Sequence, residues 1–253
     1  MTFRAADAEL LFLVMVRLLS ALMIAPIIGH RSVPAAAKIA LAALLAWLLV
    51  ASGAVKAAPP ERGFSAFLLA LLAEVGLGLL LGFVSSLAFW ALAMAGDLVA
   101  LQLGWGFGGS LHPSMESSSV ALGQFYTVTT SLVYLGMGGH RLLLTALANT
   151  FAAAPPYAFV VGGLQVERIV QTSAALFSGA LQLALPAVGT LLLTDAVLAL
   201  LSRVLPQLNA FVFGLPLKIA AGLLALWISL PVMLVFMARW LAKGIIDVQL
   251  LVR

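Results

Sequence analysis

The chain has 253 residues, of which 64% are hydrophobic and 9% charged, with a formal charge of +4 at pH 7. A soluble protein gives about a quarter of its residues to charge, so this composition excludes a soluble globular class and points to an integral membrane protein. The Lys and Arg residues are scattered, which argues against nucleic-acid binding, and the lack of cysteine excludes disulfides, thiolate metal sites and cysteine nucleophiles.

Met1 to Glu9 carries Arg4, Asp7 and Glu9 without a small-residue cleavage site, so no cleaved signal peptide is expected. A first apolar run, Leu10 to Ile28, is interrupted by Arg17 and Ser20 and ended by Pro26 and a turn from Gly29 to Pro34. A second covers Ala35 to Val50 and gives way to a loop from Ser52 to Gly63. The third, Phe64 to about Leu103, embeds Glu74 and Asp97. As a single helix it would be roughly twice the length of a ~30 Å hydrocarbon core. Either it tilts and protrudes, or Gly76, Gly78, Gly82 and Gly96 let it bend. A Gly/Ser-rich break spans residues 104–119. Val120 to Gly136 and Arg141 to Phe151 are shorter pieces, followed by a moderately polar linker from Ala152 to Gln171. Thr172 to Leu201 contains Pro186 and Asp195, and Val212 to Ala242 contains Pro216 and Pro231, before a short tail. No repeat appears, and the strand-like alternation of a β-barrel is missing, so one all-α membrane domain over residues 1–253 is expected. The loop charges give no clear orientation, although Arg239, Lys243 and Arg253 favour a cytoplasmic C-terminus.

The segment from Leu201 to Lys218 sets Arg203, Pro206, Gln207, Asn209, Pro216 and Lys218 between two apolar runs. Charge at bilayer depth costs about 2.5–3.5 kcal/mol per residue on insertion scales, and proline removes a backbone donor. Such a junction persists where its polar groups are paired, so these residues are expected to hold hairpin and subunit geometry. Glu74, Asp97, Asp195, Arg203 and Lys218 read either as a proton or ion pathway or as internal ion pairs that lock the fold or a subunit contact. The absence of Asp/Glu/His relay spacing favours pairs. Broken helices and buried charges also motivate a proton-coupled secondary transporter, against which stands the lack of repeat symmetry.

No catalytic, cofactor or metal site is expected. His30, His112 and His140 lie at turns without a metalloprotease or triad pattern. Ser110 and His112 are near each other but lack the motif order of a hydrolase, and Gly104-Trp105-Gly106-Phe107-Gly108 follows no strand. The break at 104–119 has two readings, a re-entrant or plug loop and an ordinary interhelical turn. The methionines read as packing residues, except Met115, whose soft side chain suits a gasket.

Several pieces together resemble the FliR/SctT family of type III secretion export-gate subunits. They are Arg17-Leu18 through Ala25-Pro26, Val33-Pro34, Gly96-Asp97-Leu98-Val99, Leu101-Gln102-Leu103-Gly104 and Gly139-His140. The most specific are Leu185-Pro186, Pro206-Gln207-Leu208-Asn209, Phe213-Gly214 and Pro216-Leu217-Lys218. The Gly-x-Pro-x-Lys ending is more like the flagellar branch than the injectisome branch. The resemblance implies a non-enzymatic gate of about six to seven long, kinked helices arranged as bent hairpins. It implies assembly with FliP-like and FliQ-like subunits beside FlhB-like and FlhA-like components, in the bacterial inner membrane at the flagellar basal body. It implies passage of unfolded flagellar proteins and no cofactor. The loop matching Gly106 to Ser119 would plug the closed pore, presenting Gly106, Phe107, Gly108, Gly109, Leu111, His112, Pro113 and Met115. His112 departs from the acidic residue common in the family. Glu74, Asp97, Gln102, Asp195, Arg203, Pro206, Gln207, Asn209, Gly214, Pro216 and Lys218 would form the polar assembly network.

Overall fold

Leucine, alanine and methionine favour helix, and in a membrane a helix satisfies its own backbone. The computed structural model describes residues 5–55, 63–104, 120–157, 163–204 and 210–250, and the regular structure among them is helical. In chain order the helices are α1 (Ala5–Ile24), α2 (Ala35–Ala51), α3 (Phe64–Leu103), α4 (Val120–Gly136), α5 (Gly139–Ala153), α6 (Gly163–Val204) and α7 (Ala210–Leu250). Three stretches are long and apolar enough to cross a membrane, Phe64–Leu103, Glu167–Val204 and Gly214–Val248.

The helix ends follow local chemistry. The last helical bond of α1 runs from the Ala25 N–H to the Ala21 carbonyl at 2.9 Å, and Pro26 has no donor to extend it. The turn that follows is tied to α2 by Lys38, whose Nζ donates to the carbonyls of Gly29 at 2.9 Å and His30 at 3.1 Å. Pro34 directly precedes α2, a position where its missing N–H costs nothing. Gly138, with φ of 70°, separates α4 from α5 in a left-handed turn that glycine adopts without a Cβ penalty.

Three boundaries differ from the sequence reading. Helix α1 begins at Ala5 instead of Leu10, because Asp7 suits the positive end of a helix. The latter part of the polar stretch read as a linker, from Gly163 to Gln171, is the first turns of α6. Glu167 and Gln171 are polar but good helix formers, and they bond one turn apart at 3.1 Å. Helix α7 runs on to Leu250, through residues read as a tail. The third run is one uninterrupted helix of 40 residues, and α6 and α7 continue through Pro186, Pro216 and Pro231.

The chain forms two compact units. The first takes in Met1–Ala88, Gly138–Ala174 and Leu241–Arg253, and the second Phe89–Met137 and Ala175–Trp240. The long helices α3, α6 and α7 contribute to both. The core of the first unit includes Leu13, Val14, Leu18, Leu22, Leu77, Leu81, Leu143 and Leu147, and that of the second Leu92, Leu103, Tyr126, Tyr134, Leu191 and Met237.

Candidate functional site

In the first unit, every fourth residue of α3 meets α1. Glu74 receives a double hydrogen bond from Arg17, from Nε to Oε2 and from Nη2 to Oε1, the latter at 2.8 Å. Both side chains are 1–2% exposed. Gly78 faces Ser20 and the Arg17 carbonyl, and Gly82 faces Ala21, so closely that a methyl group on Gly82 would stand 2.6 Å from the Ala21 oxygen. Ser86 then donates to the Ile24 carbonyl at 2.6 Å. The paired numbers rise together, so the two helices run parallel. Small residues allow this approach, and without them α1 could not bring its arginine to Glu74. The guanidinium carbon of Arg17 lies 4.2 Å from the centre of the Phe151 ring on α5. That contact supplies a π face to a cation whose Nη1 has no hydrogen-bond acceptor among the described residues.

In the second unit, a polar latch joins three helices. Asp195 Oδ2 on α6 accepts from Gln102 Nε2 on α3 and from Lys218 Nζ on α7, each at 2.9 Å. Lys218 is 18% and Asp195 40% exposed. Beside it, Leu103 at the end of α3 seats against Gly222 with Leu191, and a methyl group on Gly222 would lie 2.5 Å from the Leu103 side chain. Gly214 packs against Leu198, nearer the end of α6 and the start of α7. Helix α4 packs through Tyr126, which contacts Gly96 and donates to the Met233 sulfur at 3.5 Å, and through Thr130, which approaches the Met237 sulfur at 3.9 Å.

Among the residues expected to form the polar network, Gln102, Asp195 and Lys218 therefore come together. Glu74 is paired elsewhere, with Arg17. Asp97 is exposed, its carboxylate against Gly123 of α4. Arg203 is exposed in the last turn of α6, where a cation suits the helix end, and Pro216 is exposed on α7. Pro206, Gln207 and Asn209 lie outside the described residues, as do all the expected plug residues, Gly106, Phe107, Gly108, Gly109, Leu111, His112, Pro113 and Met115. Ser110 lies outside them too. Sequence reasoning missed the roles of Arg17, Lys38, Ser86 and Phe151. The available signal for Arg17 was a lone arginine inside an apolar run, which demands a partner at membrane depth. Among the described residues, no three His, Cys, Asp or Glu side chains are placed to hold a metal ion.

Long apolar helices held together by a buried ion pair, a partly exposed one and close small-residue contacts define an α-helical integral membrane protein. The family described as "Bacterial export proteins, family 1" matches residues 8–244, and the chain belongs to it. It is 31% identical to the flagellar biosynthetic protein FliR of Aquifex aeolicus over 224 residues, 88% of this chain and 86% of that one. It is 30% identical to FliR of Escherichia coli over 228 residues, covering 90% and 87%. It is also similar to the Yop proteins translocation protein T of Yersinia pestis, at 34% identity over 171 residues and 66% of each chain.

Proposed function

We propose that this chain is a structural, non-catalytic subunit of a flagellar type III export gate in the bacterial inner membrane, at the basal body. The observation that carries this reading is the similarity to two FliR proteins across nearly nine-tenths of the chain. The chain assembles with FliP-like and FliQ-like subunits, next to FlhB-like and FlhA-like components, and unfolded flagellar proteins pass through the pore they form. Residues 104–119 provide the plug that closes it. Arg203, Gln207, Asn209 and Lys218 hold the α6–α7 hairpin in its assembled geometry.

The test is a mild-detergent pull-down of the tagged chain from its native membrane, read by mass spectrometry. Co-purification of FliP-like and FliQ-like chains is expected, and a homogeneous homo-oligomer without them overturns the reading. Deleting Gly108 to Ser114 is expected to leave assembly intact and raise ion conductance across the membrane. Unchanged conductance removes the plug assignment. Similarity to the Yersinia translocation protein favours a second reading, an injectisome gate. A deletion strain that still builds flagella but loses effector secretion supports that second reading, and loss of flagella supports the first.

A further inference from the structure

We propose that the outer stripe of α3, formed by Trp90, Met94, Asp97 and Leu101, is a docking seam for a membrane helix of another chain that carries a Lys or Arg opposite Asp97. The 4-3-4 spacing of these positions is the one by which a helix meets a second helix along a seam. Trp90 is 48% and Leu101 65% exposed, and Asp97 between them is exposed too. Ala91, Leu92, Ala95, Val99 and Ala100 on the inner side of the same helix are buried. From Trp90 to Leu101 the stripe is about 16 Å long, roughly three helical turns.

Charge is what selects the occupant. The carboxylates of Glu74 and Asp195 are both answered, by Arg17 and by Lys218 with Gln102. Asp97 meets no cation and no hydrogen-bond donor among the described residues. A carboxylate within a membrane-crossing helix is stabilised where a counter-charge reaches it. The position is also shaped. One Asp97 oxygen lies against Gly123 of α4, where a methyl group would collide with it, so the neighbouring helix leaves the carboxylate room. A lone polar residue within an apolar seam fixes the register of two helices, at some expense in stability. Lipid tails can cover Trp90 and Leu101 but offer nothing to Asp97.

The seam rests on the reading of this chain as one subunit of a gate made of different chains. The test places a photo-crosslinking residue at Leu101 in the native membrane, with a control at Trp227 on α7, which is 74% exposed. The expected adduct joins Leu101 to a membrane helix of another chain bearing Lys or Arg. Asp97→Lys is expected to reduce its yield about tenfold or more, the effect of losing one good contact. Replacing the partner's cation with Asp restores it. Asp97→Asn, which keeps shape and fold, is expected to lower the yield in the same direction. Adducts with lipid alone, with a second copy of this chain, or with a helix lacking a cation overturn the proposal. So does an unchanged yield in both Asp97 variants. If the gate subunits still co-purify while Leu101 captures only lipid, the seam fails and the gate reading stands. If they do not co-purify with the unsubstituted chain, the gate reading itself fails.

Discussion

Arg17 and Glu74 sit 57 positions apart in sequence and share two hydrogen bonds in a fully buried pair. Removing one member strands the other, which typically costs about 3–5 kcal/mol, whereas replacing both by apolar residues is often close to neutral. Glu74→Ala and Arg17→Ala are therefore each expected to destabilise the chain by about that amount. The double variant Arg17→Met with Glu74→Leu is expected to recover most of the loss, as measured by thermal unfolding in mild detergent. Equal losses in the single and double variants would falsify the assignment of the pair as mutually compensating. The same logic applies to Asp195, which both Lys218 and Gln102 serve through one oxygen. Lys218→Ala is expected to lower the amount of chain in the membrane more than Lys218→Ala combined with Asp195→Asn. An uncompensated carboxylate in the middle of a membrane-crossing helix costs about 2.5–3.5 kcal/mol on insertion scales, and a neutral amide costs less. Quantitative immunoblotting of washed membranes reads the difference.

At the level of elements, the spacing of glycines separates contact from tolerance. Gly82 lies against the α1 backbone, whereas Gly76, six residues earlier on α3, has nothing within 4 Å of where a Cβ would stand. Gly82→Val is expected to push α1 and α3 apart and cost about 1–3 kcal/mol, the usual range for overpacking. Gly76→Ala is expected to be neutral or to stabilise α3 by up to about 1 kcal/mol through helix propensity. Unfolding midpoints of the two variants in the same detergent check the contrast. Both glycines look alike in the sequence. The existence of the helices was legible because runs such as Phe64 to Leu103 have no other way to satisfy their backbone in a membrane. Which face of α3 meets α1 was not, since that helix is apolar nearly all round and periodicity carries no direction there. The start of α6 was misread for a related reason. Glu167 and Gln171 signal polarity, and polarity by itself is compatible with either loop or helix.

At the level of the molecule, exposed residues such as Leu192, Leu193, Leu200, Leu224, Trp227, Ile228 and Val232 crowd the long hairpin of α6 and α7. Surfaces of this kind are covered by lipid or by other membrane chains. The chain is therefore expected to stay in the pellet after an alkaline carbonate wash and to enter solution only with detergent. Release by carbonate alone would show that the helices do not cross the bilayer. Membership of the class was readable from composition, and kinship from short pieces such as Pro216-Leu217-Lys218. The pairing of Gln102 with Asp195 was not, because its partners are 93 positions apart and no local pattern links them. That separation has a counterpart in time for Arg17. A ribosome adding about 5–20 residues per second needs roughly 3–11 s to make the 57 residues between Arg17 and Glu74. During those seconds the first helix has its charge and lacks its answer. The order of synthesis makes the arginine wait for the glutamate until α3 is made.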